Sequence, residues 1–220
     1  MGNEFKDYEH LFYNYKWSIY QEEKPTWDYL QTFLKSGCTF FDVGCQKGIY
    51  SKGVLDLCGD DCFVYGFDVL QHPEILDLEK KYKNFKFNHS AVGDGESTED
   101  CIIHYDNNIK LENQKTISLD KFCKENNIKR VDIIKIDVDG LHDKVIFGFK
   151  KILKSLNPII VIEMNNNIGY ENQSAEIMKL KIDNSDDFID KKTWDTLISL
   201  GYQCEIIKNG SNCFFVKNKG

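Results

Sequence analysis

From residue 39 onward, short apolar runs alternate with amphipathic stretches, the pattern left by strands joined through crossover helices in a parallel sheet. The apolar runs predict strands over 39–43, 63–68, 85–90, 131–137 and 158–163. Helical spacing between them predicts helices over 49–57, 73–82, 120–126 and 144–156, and residues 97–105 are expected to add an edge strand. Toward the C-terminus a helix over 193–200 stops at Gly201, and strands over 203–207 and 213–216 flank the turn-forming Asn209-Gly210-Ser211-Asn212. The expected architecture is α/β and Rossmann-like: a mostly parallel, seven-stranded sheet with a C-terminal antiparallel hairpin.

Residues 1–36 differ in texture, with acidic residues interleaved among aromatics. Helices are predicted over 8–20 and 26–34, with Pro25 opening the second. This segment is expected to form a lid or substrate wall on a single domain over 37–220, since 220 residues hold one sizeable α/β core rather than two ordinary ones. Residues 165–190, rich in Asn, Asp and Lys, form the longest stretch without a period and are the expected specificity loop. No apolar run reaches the length needed to span a bilayer.

Composition changes this picture in two places. A net charge of −7 and a single arginine, Arg130, argue against a nucleic-acid partner, because phosphate binding favours a basic surface and guanidinium forks. Eight cysteines contain no C-x-x-C pair and no His at zinc-finger spacing. They read as small thiols in a reducing compartment, with the cytoplasm as the expected location.

The first candidate site follows the 39–43 strand in FFDVGCQKGIYS, where Asp42, Gly44 and Gly48 form D-x-G-x-x-x-G. Glycines there let the backbone turn tightly and approach a ligand, beside the unpaired N–H groups of a helix start. A dinucleotide fingerprint would need glycine where Gln46 stands, which disfavours a nicotinamide-dependent oxidoreductase; the absence of G-K-[ST] excludes a P-loop. A cofactor with a charged amino-acid tail fits better, with Asp42 attracting its ammonium and Gly44 leaving room. Asp68 ends the next strand where an acid accepts hydrogen bonds from both hydroxyls of an adenosine ribose. The third strand runs into NHSAVGDGES, where Ser90 and Ala91, with His89 nearby, are the expected adenine wall.

A second constellation is IIKIDVDGLHDKVIFG, in which an apolar strand ends in Lys135, Asp137 and Asp139. Polar residues at the carboxyl end of a sheet face its crevice, so Asp137 is the expected substrate-side group. Lys135, two residues away, shares its face and is expected to form an ion pair with it. Asp139 suits a helix cap, and His142 a general base near neutral pH. The following strand ends in IIVIEMNN, with Glu163 and Asn165 on one face. If these two strands are neighbours, Asp137, Glu163 and Asn165 converge and offer hard ligands for Mg²⁺ or Mn²⁺. Catalysis is expected of Asp137, His142 and Glu163.

Through these segments, together with VYGFDVLQHP, TISLDKFCKENNIKRVDIIKIDVDG and PIIVIEMN, the chain resembles the FkbM family of methyltransferases over 40–217. The resemblance implies a class I methyltransferase fold and methyl transfer from S-adenosylmethionine to a hydroxyl group. It further implies an acceptor such as a sugar or glycan. The family's Glu at the position of Asp139, and another near His142, are absent here, so the resemblance carries no role over to these two residues. Tyr13, Tyr15, Trp17, Tyr20 and Trp27 suit carbohydrate stacking. Two alternatives are a non-sugar small-molecule acceptor, such as a natural product or catechol, and a non-catalytic S-adenosylmethionine-binding module.

Overall fold

The computed structural model describes residues 17–105, 108–138, 140–163, 191–207 and 212–217, with the backbone alone described for 17–22 and 102–111. Helix α1 (Trp17–Leu30) leads into β1 (Thr39–Val43), α2 (Ile49–Cys58), β2 (Phe63–Asp68), α3 (Pro73–Lys81) and β3 (Phe85–His89). There follow β4 (Ala91–Val92), β5 (Thr98–Tyr105), β6 (Asn108–Ile117), α4 (Leu119–Glu125), β7 (Ile133–Ile136), α5 (His142–Gly148), α6 (Lys150–Leu156) and β8 (Ile159–Glu163). Helix α7 (Lys191–Ser199), β9 (Gln203–Ile206) and β10 (Asn212–Val216) complete the described elements.

Seven strands form one sheet in the order β3-β2-β1-β7-β8-β10-β9. Strands β1, β2, β3, β7 and β8 are mutually parallel, and β10 enters antiparallel between β8 and β9. The sheet is therefore the one its apolar runs predict. Every residue of β1 is buried, as a central strand covered on both faces requires. The pleat sends Phe41 and Val43 into one core with Phe67, Ile134 and Phe149, and Phe40 into the other with Val64, Ile133 and Phe214. Each such side chain contributes about 1.5–3 kcal/mol when fully removed from water.

The order of the strands places the site. Chain direction reverses its lateral course between β1 and β7, and a crevice opens beyond the carboxyl ends of adjacent parallel strands at such a switch point. The ends of β1, β2, β7 and β8 carry Asp42, Asp68, Asp137 and Glu163, either within the strand or one residue beyond it.

Four expectations about elements change. Residues 98–105 do not extend the main sheet; they pair antiparallel with the unpredicted β6, and β6 pairs with β4, in a second sheet of three strands. The predicted 144–156 helix is two helices broken at Phe149, because the Asp120 carboxylate accepts from the N–H groups of Lys151 and Ile152, both at 3.0 Å, and so caps a new start. Pro25 lies inside α1 rather than opening a helix. Trp27, 2% exposed, packs against Tyr50 in the core and not toward an acceptor; a Cβ on Gly53 would stand 2.4 Å from its ring. The predicted turn at Asn209-Gly210-Ser211, most of the 8–20 helix and the 165–190 loop lie outside the described residues.

Candidate active site

The loop after β1 is built from three left-handed residues at alternate positions: Gly44 (φ 77°), Gln46 (φ 45°) and Gly48 (φ 76°). The N–H groups of Gly44 and Cys45 both donate to the Phe67 carbonyl, at 2.9 and 3.1 Å, tying the loop to the end of β2. A Cβ on Gly44 would lie 1.8 Å from the Asp137 carbonyl oxygen, and one on Gly48 2.5 Å from Ile75 Cδ1. Glycine at 44 thus lets the first loop pass directly over the end of β7, where the Asp137 N–H donates to Val43 at 2.9 Å.

Asp42 sits beneath this loop. It is 1% exposed, and its Oδ2 accepts from the N–H and hydroxyl of Ser51 at 3.1 and 2.6 Å. Gly48 at the helix N-cap has no side chain, and Asp42 performs the capping acceptance in its place. Burial raises the Asp42 pKa against the opposing pull of Lys135 and Ser51. The geometry gives Asp42 the task of holding α2 and balancing Lys135.

Asp68 stands at the rim. One oxygen accepts from the Gln46 N–H and the other from the Leu70 N–H, each at 2.8 Å. A carboxylate offers about four acceptor positions, so two are left for further donors. Its pKa is raised, first by burial. Beside it, Ala91 is buried with Cys101 against Val69, Leu70 and Leu141, an apolar wall. The Ser90 hydroxyl donates to the His89 carbonyl at 2.7 Å, and the His89 ring nitrogen meets the Val69 carbonyl at 2.8 Å. The Asp68 carboxylate, with acceptor positions to spare, thus stands next to an apolar surface.

The second half of the site is a buried charge network. Lys135, 2% exposed, ion-pairs with Asp137 and lies over the Tyr50 ring, 4.6 Å from its centroid. Burial would lower the lysine pKa, but Asp137, Glu23, Asp42 and Glu163 outweigh it and raise it, so the ammonium persists. Burial likewise works to raise Asp137, and Lys135, a hydrogen bond from Glu163 and the nearby His142 hold it below the ordinary carboxylate value. Glu163 goes the other way, to about 10, through burial and the Asp137 carboxylate it faces. The pair therefore shares one proton, carried by Glu163 and donated to Asp137. Tyr50 donates its hydroxyl to Glu23 of α1, which anchors that helix to the network.

The structure brings Asp137 and Glu163 together and pairs Lys135 with Asp137; His142, at the start of α5, acts on Asp137 through its charge. The metal reading gains no support here: Asp137 is ion-paired to Lys135, and Asn165 lies outside the described residues, as does Asp139. Among the described residues no group of three or more His, Cys, Asp or Glu is able to hold a metal ion. Glu23, Tyr50 and Ser51 were not legible as site residues, because each acts through a partner distant in sequence. The Asp120 of TISLDKF and Asp94 of GDGES shape the fold instead: Asp94 binds the N–H groups of Ser97 and Glu96 and the Ser97 hydroxyl, which lower its pKa to about 2.

Comparison with known proteins agrees with this architecture. The family described as Methyltransferase FkbM domain matches residues 61–204, so the glycine loop precedes the matched stretch. No curated protein matches. Among solved structures, an FkbM methyltransferase from Methylobacillus flagellatus KT shares 12% identity at a TM-score of 0.53, over 83% of this chain and 44% of that one. A SAM-dependent methyltransferase from Aquifex aeolicus shares 16% identity at a TM-score of 0.50, over 96% of each chain. This chain spans less than half the length of the first of these; at such identities both show the fold, that of S-adenosylmethionine-dependent methyltransferases. With most of its length matched by one profile and its strand order that of the fold, this chain belongs to the FkbM methyltransferase family.

Proposed function

We propose that this protein transfers the methyl group of S-adenosylmethionine to a hydroxyl oxygen of a sugar or glycan. The observation that carries the reading is the contact between the two halves of the site: the Gly44 loop crosses the Asp137 carbonyl, so cofactor loop and charge network share one crevice. That cofactor supplies an electrophilic methyl group when bound. The loop from Gly44 to Gly48 borders its tail, Asp68 accepts from its ribose, and Ser90 and Ala91 border its base.

An alcohol is a poor nucleophile at neutral pH, so the acceptor proton must leave as the new bond forms. His142 is assigned as the general base, with the ionised Asp137 beside it stabilising the imidazolium that results. Glu163, protonated, fixes Asp137 by donating to it, and Lys135 keeps Asp137 ionised. A carboxyl-lined crevice and an overall charge of −7 favour a neutral polyhydroxyl acceptor over a phosphate-rich one.

A labelled methyl donor presented with a panel of free sugars, nucleotide-linked sugars and glycans is expected to yield a methyl ether at one hydroxyl, located by NMR. Cofactor binding without turnover on any hydroxyl acceptor would instead establish a silent binding module. Replacement of His142 by Gln is expected to lower kcat by about 10²–10⁴-fold with cofactor Kd unchanged; an unaltered kcat removes His142 as the base.

A further inference from the structure

At the opposite, amino-terminal edge of the sheet, three thiols meet. Cys38 immediately precedes β1, Cys58 ends α2 and Cys62 immediately precedes β2. The sulfurs of Cys38 and Cys58 are 3.8 Å apart, and Cys62 is buried in the same cluster as Cys38. The methyl-transfer reading uses none of them.

The three are not equivalent. Cys62 is buried and engaged: its sulfur lies 3.2 Å from the Gly59 carbonyl, to which it donates, and accepts from Asn84 Nδ2 at 3.4 Å. Cys38 is buried, whereas Cys58 is partly exposed at the end of its helix. Gly59 follows Cys58 with φ 65°, and a Cβ there would meet nothing within 4 Å, so the segment carrying Cys58 has room to adjust. A disulfide requires the sulfurs to close to about 2.05 Å. Rotation of the Cys58 side chain and give at Gly59 are the movements available for that closure.

We propose that Cys38 and Cys58 form a reversible dithiol–disulfide site, oxidised by a small peroxide entering at Cys58. The step balances: the Cys58 thiol gives up its proton, its sulfur attacks one peroxide oxygen, the O–O bond breaks, and the hydroxide that leaves takes up that proton as water. The resulting Cys58 sulfenic acid is attacked by the Cys38 sulfur, the S–S bond forms and a second water departs. Two thiols lose two electrons and two protons in all, and hydrogen peroxide is reduced to two waters. Within the pair the Cys38 thiol is held low and the Cys58 thiol is pushed up, in each case by their mutual hydrogen bond first, so the proton carried by Cys58 must leave before its sulfur attacks.

The disulfide closes a span of 20 residues containing β1, the glycine loop and α2, while leaving the carboxyl-edge residues untouched. Oxidation is therefore expected to raise the melting temperature through loop closure. The test is to expose the full folded chain to hydrogen peroxide, block remaining thiols with N-ethylmaleimide under denaturing conditions, and read intact mass and peptides. Expected are the loss of two alkylatable thiols, a peptide joining Cys38 to Cys58, its reversal by dithiothreitol, and its absence in Cys58→Ser. Retention of all eight free thiols, a link between any other pair, or Cys58 driven to sulfinic acid without a link would overturn the proposal. The wild-type measurement decides the matter whether or not the variant folds, and it is independent of methyl-transfer activity.

Discussion

Two glycines flank β1, and their backbones are nearly alike: Gly37 before the strand has φ 74°, Gly44 after it φ 77°. A Cβ on Gly37 would meet only the terminal nitrogen of Arg130, at 3.8 Å, whereas one on Gly44 would collide with the Asp137 backbone at 1.8 Å. The same local conformation is a plain turn at one end of the strand and a crossing of two functional segments at the other. Gly37→Ala is expected to cost about 1–2 kcal/mol, the left-handed penalty alone. Gly44→Ala adds an overlap that neither strand end can relieve, for a loss upwards of about 5 kcal/mol. Urea unfolding of both variants measures the gap, and equal costs would mean that the loop does not cross β7 as described.

The same two edges differ in how they treat charge. At the amino edge Arg130 and Asp132 pair with the arginine half-exposed, and such surface pairs are worth little. At the carboxyl edge Lys135 is enclosed by carboxylates. Lys135→Met is expected to destabilise by about 3–5 kcal/mol, because Asp137 and Asp42 would keep buried charge without a counterion. Arg130→Met should cost less than about 1 kcal/mol by the same unfolding measurement. A Lys135→Met variant as stable as wild type would show that the network is hydrated rather than enclosed.

Two aspartates sharpen the comparison in terms of binding. Asp132 accepts from the Thr39 N–H at 2.9 Å and Asp68 from those of Gln46 and Leu70, so both fasten backbone at a strand end. Only Asp68 faces the crevice with acceptor positions to spare. Asp68→Ala is expected to weaken S-adenosylmethionine about 10–100-fold by calorimetry, and Asp132→Ala to leave Kd unchanged. Unchanged affinity in Asp68→Ala removes the ribose assignment.

What the sequence made legible follows from the same physics. The strands over 39–43 and 63–68 were readable to the residue, because buried parallel strands are continuous apolar runs bounded by turn signals. Strand β6 was not: NIKLENQKTI mixes amide and charged residues of low strand propensity, and its pairing with β5 and β4 supplies what its composition lacks. Asp42 and Asp68 were identifiable from position in a βα unit, but not that Asp42 would be spent on Ser51. Opposite protonation of Asp137 and Glu163 was also out of reach, since it depends on burial and on Lys135 lying between neighbouring strands.

That opposition gives the most specific effect, one that depends on pH. Glu163 has a folded-state pKa of about 10 against an ordinary value near 4.5, so between those limits the folded protein holds a proton that the unfolded chain releases. Its contribution to stability is full below about pH 4.5 and is lost as pH rises toward 10. Glu163→Gln replaces the protonated acid by an amide that still donates to Asp137 and never ionises. At pH 8 the variant is expected to be more stable than wild type, with the advantage shrinking as pH falls and vanishing below about pH 4.5. Its kcat at neutral pH should stay close to that of wild type, because a protonated Glu163 is not the base. A variant that instead loses stability at pH 8, or loses turnover as His142→Gln is expected to, would show Glu163 to be the ionised partner and reverse the roles of the two carboxyls.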